Sequence, residues 1–116
     1  MMKRILVLVV LLSAGVHAQV SYDRLLRSGA EPHNWLMYSG TYAGHRYSTL
    51  TQITPQNVRD LELKWVFQAR SLEKFEATPL VVDGVMYTVQ PPNDIVAIDA
   101  GTGRIFWVYS HQPSQL

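Results

Sequence analysis

The chain has 116 residues, 47% of them apolar and 16% charged, with no cysteine and a formal net charge of +1. This composition excludes a disordered chain, a disulfide-stapled scaffold and a nucleic-acid binder that relies on a basic face. The length allows one small domain.

The opening residues, 1–18, read as an export address. Lys3 and Arg4 make a positive start, Ile5 to Leu12 an apolar core, and Val16-His17-Ala18 a permissive site for cleavage after Ala18. The apolar run falls short of the ~20 residues that a membrane-spanning helix needs. No twin arginine is present and no cysteine follows for lipid attachment, so the expected product is periplasmic or secreted, without a membrane anchor. Without Lys3 and Arg4, eight basic residues stand against nine acidic ones, which leaves no polybasic surface for a membrane or a nucleic acid.

Ser21 to Arg27 predicts a short docking helix, with Ser21 as N-cap, Asp23 in the first turn, Arg27 in the last and Gly29 as the stop. Glu31-Pro32-His33-Asn34 breaks the chain. Trp35 to Leu50 interleaves aromatic residues with glycine and serine. A loop that packs its aromatics onto a larger body is favoured there over a surface for a ring or a polysaccharide. Thr54 to Leu61 predicts one or two helical turns, capped by Thr54 and opened by Pro55. Leu63 to Gln68 reads as a strand, either completing an adjoining sheet in a closed ring or adding a fifth strand to the sheet that follows.

That sheet is the best-marked feature of the chain. Between Glu76 and Trp107, four apolar, β-branched runs (Leu80 to Val82, Val85 to Val89, Ile95 to Ile98 and Ile105 to Tyr109) are separated by turn residues. Asp83-Gly84 between two such runs is a strong hairpin signal, because both turn positions need positive φ. Pro91-Pro92-Asn93 cannot continue a ladder, and Asp99 to Gly103 turns the chain again. Four antiparallel strands in this length make about one propeller blade. The continuous run Ile95 to Ile98 predicts a strand buried on both faces. A single sheet cannot cover both of its own faces, so the chain either oligomerises or belongs to something longer. Both sheet edges and the Trp107 face are expected to lack neighbours, which predicts poor solubility.

Ala97-Ile98-Asp99-Ala100-Gly101-Thr102-Gly103-Arg104-Ile105-Phe106-Trp107 resembles the tryptophan-docking repeat, A-x-D-x-x-T-G-x-x-x-W, of quinoprotein propellers. Threonine and glycine close the hairpin, and the large tryptophan area supplies adhesion between blades. Non-catalytic propeller scaffolds share this repeat. Asn34-Trp35, Tyr38-Ser39-Gly40, Arg46 to Leu50, Gln52-Ile53 and Asn57-Val58 are similar to the opening segment of alcohol dehydrogenases dependent on pyrroloquinoline quinone (PQQ). Phe75 to Tyr87 is similar to their first complete blade, and the likeness runs from about Tyr22 to Ser110.

The resemblance implies an all-β chain: one four-stranded antiparallel blade plus a closing strand of an eight-bladed quinoprotein β-propeller, preceded by short N-terminal helices. It divides the chain into a leader at 1–18, a lead-in segment at 19–62 and a partial propeller at 63–116. It also implies that Glu76, just before the first blade strand and near the ring axis, contacts the quinone as a hydrogen-bond acceptor. The catalytic base, the ligands of a calcium or lanthanide ion and a cysteine pair against the quinone are expected beyond Leu116. No residue of this chain is assigned a catalytic or metal-binding role. His33, His45 and His111 lack metal-ligand spacing, Asp94 and Asp99 are accounted for by turns, and no nucleophile elbow, phosphate loop or dinucleotide fingerprint is present.

The implied function is the N-terminal part of an exported PQQ-dependent dehydrogenase. Hydride would pass from an alcohol to the quinone beside the metal ion, electrons would leave to a periplasmic cytochrome c, and this chain alone would be inactive. Two alternatives stand beside it: a non-catalytic propeller scaffold of the cell envelope, and a small β domain that assembles into a ring.

Overall fold

A computed structural model describes residues 20–112, so the expected leader at 1–18 lies outside the described residues. The sheet forms where the apolar runs predict it: β1 (Leu80–Val82), β2 (Val85–Gln90), β3 (Asp94–Asp99) and β4 (Ile105–Ser110). They form one antiparallel meander in the order β1-β2-β3-β4. Asp83 and Gly84 both take positive φ, 49° and 81°, as a two-residue hairpin with the twist of its strands requires. Residues opposite one another, such as Tyr87, Ala97 and Trp107, or Thr88, Val96 and Val108, share a face.

In β3, the central strand, Val96, Ala97 and Ile98 have no exposed surface. The expectation of burial on both faces holds for these three and stops at Ile95, which is 40% exposed. Ile95 pairs with Val89 and Tyr109, and that row of apolar side chains lies uncovered.

Ahead of the sheet, α1 (Tyr22–Leu26) begins where predicted. Ser21 is its N-cap and its hydroxyl accepts from the Arg24 backbone N–H at 3.2 Å. The second expected helix shrinks to a turn followed by a 3-10 segment over Val58–Asp60. There the Asn57 side chain accepts from the Thr54 N–H at 2.7 Å and donates to the Gln52 carbonyl at 2.8 Å. Local side-chain bonding of this kind favours a turn over continued helix.

Leu63 to Gln68 is not a strand among the described residues. The run crosses the face of the sheet instead of extending its plane. Trp65 meets the turn after β3, while Phe67, Gln68 and Arg70 line a cavity with Gln90, Asp94, Val96 and Ser110 at the opposite end. A strand exists only through ladder partners, and none of the described residues supplies one here.

One sheet edge is covered, which corrects the expectation of two open edges. Trp35 donates to the Val81 carbonyl at 2.8 Å and accepts from the Val81 N–H at 3.0 Å, bridging the outer side of β1. Polar contacts then clasp the lead-in segment to the β1–β2 turn. Asn34 Oδ1 accepts from the Asp83 N–H at 2.9 Å, and Asn34 Nδ2 donates to Glu31 at 2.7 Å. The Arg24 guanidinium forks between Glu31, through Nε at 3.0 Å and Nη2 at 2.7 Å, and Asp83, through Nη1 at 3.0 Å.

The Arg24 bonds, followed by that from Asn34, hold the Glu31 carboxyl below its ordinary value. A carboxylate with a lowered folded-state pKa contributes stability above its unfolded pKa and loses that contribution as pH falls through the folded value. The Trp35–Val81 bridge is therefore expected to loosen in acid, below the ordinary carboxylate range. Amide hydrogen exchange of Trp35 and Val81 should rise there, and Arg24→Gln should bring the same rise at neutral pH.

Candidate functional site

The turn after β3 shows why the residue pattern Asp-x-x-Thr-Gly folds as it does. Asp99 Oδ1 accepts from the N–H groups of Gly101 at 2.9 Å and Thr102 at 3.0 Å, and Thr102 Oγ1 accepts from Arg104 at 3.3 Å. The backbone closes the loop through Gly103 N–H to the Asp99 carbonyl and Asp99 N–H to the Arg104 carbonyl, both at 2.8 Å. Gly103 has φ 75°. Its missing side chain makes room for Trp65: a Cβ at Gly103 would lie 2.7 Å from Trp65 Cδ2. The Trp65 indole N–H donates to the Ala100 carbonyl at 3.1 Å. Trp107 is nearly half exposed, its ring 6.0 Å from that of Tyr87.

Glu76 stands at the other end of the sheet. It is exposed, on irregular backbone four residues ahead of β1, with no hydrogen-bond partner among the described residues. Thr78, two residues further on, lines an open hollow of about 200 Å³ with Leu80, Tyr87, Thr88, Val89 and Ile95. Glu76 is thus an exposed carboxylate on the approach to β1, two residues ahead of the first residue that lines the hollow.

The same end of the sheet carries a second polar group. Gln90 is almost fully buried and its Nε2 donates to Asp94 Oδ2 at 2.9 Å. Hydrogen bonds from Gln90 and then Ser110 lower the Asp94 pKa, with Arg70 adding to the shift. Gln90 Oε1 has no partner among the described residues. A buried acceptor left unsatisfied costs about 1–3 kcal/mol. The cavity it lines, about 480 Å³, runs between the 67–70 run and the β3–β4 face. Asp94 thus does more than shape its turn: it anchors a buried amide. No group of three or more His, Cys, Asp or Glu among the described residues is placed to hold a metal ion.

Sequence reasoning did not find the Arg24–Glu31–Asn34–Asp83 clasp, because its members lie up to 59 positions apart and each has an ordinary local role. Trp65 had a signal that could have exposed it. The triplet Trp65-Val66-Phe67 recurs as Trp107-Val108-Tyr109.

A four-stranded antiparallel meander with one aromatic run crossing its face is the blade of a β-propeller. The family pattern described as "Glucose/ethanol/alcohol dehydrogenase, beta-propeller domain" matches residues 35–115, and the chain belongs to this PQQ-dependent alcohol dehydrogenase family. It is 43% identical over 101 residues to quinohemoprotein alcohol dehydrogenase ADH-IIG of Pseudomonas putida, covering 87% of this chain and 14% of that protein. The crystal structure of that relative superposes with a TM-score of 0.77 over 84% of this chain and 14% of the other. A europium-containing methanol dehydrogenase gives a TM-score of 0.72 at 37% identity, over 79% of this chain and 16% of the other. The 1-butanol dehydrogenase (cytochrome c) of Thauera butanivorans is 44% identical over 75 residues, 65% of this chain and 11% of that protein. The chain thus spans only a small part of the length of each.

Gly103→Ala tests the Trp65 contact. Positive φ alone should cost about 1–2 kcal/mol, and the Cβ must also push Trp65 away. The expected result is a lower denaturation midpoint with red-shifted, more quenchable indole emission at neutral pH. A Trp65→Phe background should remove the spectral change and keep the φ penalty.

Proposed function

We propose that this chain is the N-terminal part of an exported PQQ-dependent dehydrogenase that oxidises an alcohol-type substrate, and that Glu76 holds the quinone. The observation that carries this reading is Glu76 itself: in a chain of this family it is an exposed carboxylate with no hydrogen-bond partner among the described residues, two residues ahead of Thr78, which lines an apolar hollow at the head of β1. When bound, PQQ supplies the two-electron acceptor for a hydride from the alcohol carbon, with a calcium or lanthanide ion beside it. The chain's own contribution is placement. Glu76 accepts a hydrogen bond from the cofactor and fixes its orientation, and Leu80, Val89 and Ile95 offer an apolar surface near the head of β1.

The two tryptophan triplets support a further part of this reading, in which the aromatic runs join one blade to the next. Trp65 already sits on a turn, whereas Trp107 presents a similar surface with no such turn against it. The relatives named for europium and for cytochrome c support a metal ion and a cytochrome c acceptor for the longer protein. The 1–18 segment serves as the export leader, which places the product in the periplasm or outside the cell. The 116-residue chain by itself does not turn over, because the base and metal ligands of the reaction are not assigned to any of its residues.

A chimera tests the assignment. Residues 20–112 would replace the matching segment of the Pseudomonas putida relative. The chimera is expected to retain PQQ and to oxidise primary alcohols with an artificial dye, while Glu76→Gln should weaken PQQ retention about tenfold, the loss of one charge-assisted hydrogen bond. Unchanged PQQ affinity in Glu76→Gln would remove Glu76 from the site, and dye-linked turnover by the unfused chain with PQQ and calcium would overturn its predicted inactivity.

A further inference from the structure

Sheets grow at their edges, and among the described residues this sheet has one edge open. The outer side of β1 is bridged by Trp35, whereas β4 is the terminal strand with no strand or bridge along its outer side. All six residues of β4 are exposed. Its sequence, Ile105-Phe106-Trp107-Val108-Tyr109-Ser110, contains no charge, proline or glycine. An uncharged, β-branched and aromatic edge is a template for pairing with another strand, and past the irregularity at Phe106 the stretch Trp107 to Ser110 is regular. The neighbouring cation does not guard it, since the Arg104 guanidinium lies 4.9 Å from the Phe106 ring centroid, stacked on that residue.

We propose that this chain on its own forms a two-fold dimer by antiparallel pairing of β4 with β4 of a second copy. The occupant follows from self-complementarity. A charge-free edge meets an identical one without repulsion, a two-fold axis places the same residues on both sides, and a net charge of +1 opposes association little. Backbone ladder bonds join the strands, and a register that sets Trp107 of one copy opposite Tyr109 of the other gives two cross-strand aromatic pairs. Because Trp35 bridges the β1 edge, each copy has one open edge among the described residues, and pairing through edges ends at two. This property belongs to the chain itself and is independent of the catalytic reading.

Light scattering after size exclusion, across a wide range of concentration, should show the purified chain passing from one chain mass to two. Amides of 105–110 should exchange more slowly in the dimer than in the dilute chain. Phe106→Lys with Tyr109→Lys, placing like charges along the edge, should weaken dimerisation at least about tenfold. Should this double variant lose its sheet signal in circular dichroism, the exchange comparison on the unaltered chain decides alone. A monomer at all concentrations, an assembly larger than two, or a dimer whose β4 amides exchange as fast as in the dilute chain would overturn the proposal.

Discussion

The need to cover β3 on both sides governs this molecule. Val96, Ala97 and Ile98 are consecutive, so they point alternately to opposite faces, yet all three are fully buried. One sheet cannot cover them alone. On the Val96 side, cover comes from the run that carries Phe67 and Gln68 across the sheet. On the Ala97 side the Tyr87 and Trp107 rings supply what cover there is, and the row Val89, Ile95, Tyr109 is left bare. The exposed apolar row of the sheet follows directly from that imbalance. It is the surface of one layer whose second layer covers one face.

The covering run has little holding it in place except Trp65, which makes the turn after β3 as important as the strand. The residues that close that turn also build the landing site. Asp99 collects the N–H groups, Gly103 takes the backbone to positive φ, and the missing Cβ there admits the indole. A hairpin turn with a different residue at 103 could still close with modest strain, but it could not accept the ring. Local turn chemistry and tertiary packing are therefore coupled through one glycine.

What could be read in the sequence was the part fixed by near neighbours. The strand bounds follow from β-branched runs between Asp83-Gly84, Pro91-Pro92 and Asp99 to Gly103, and the structure moves their ends by no more than one residue. The Ser21 cap was legible for the same reason. Contacts across long separations were not. Trp35 bridging Val81 depends on how an irregular loop returns to the sheet, and Leu63 to Gln68 has strand composition without a ladder partner. Glu76 was found through family resemblance. Its residue type alone would have suggested an ordinary exposed carboxylate, and exposed is how it stands.

The two ends of the sheet are built differently, and this bears on where chemistry can occur. At one end the Asp83-Gly84 and Asp99–Gly103 turns are tied together by the Ala100 N–H to the Gly84 carbonyl at 2.9 Å. The Arg24 fork and the Trp65 indole secure the same end. At the other end lie Glu76, Gln90 and Asp94, with a carboxylate and a buried amide oxygen that have no partner among the described residues, and two cavities. Polar groups without partners are costly in a free-standing fold and useful where a ligand or neighbouring chain completes them. The secured end gives the blade its shape, and the other end is the one with hydrogen bonds still to gain.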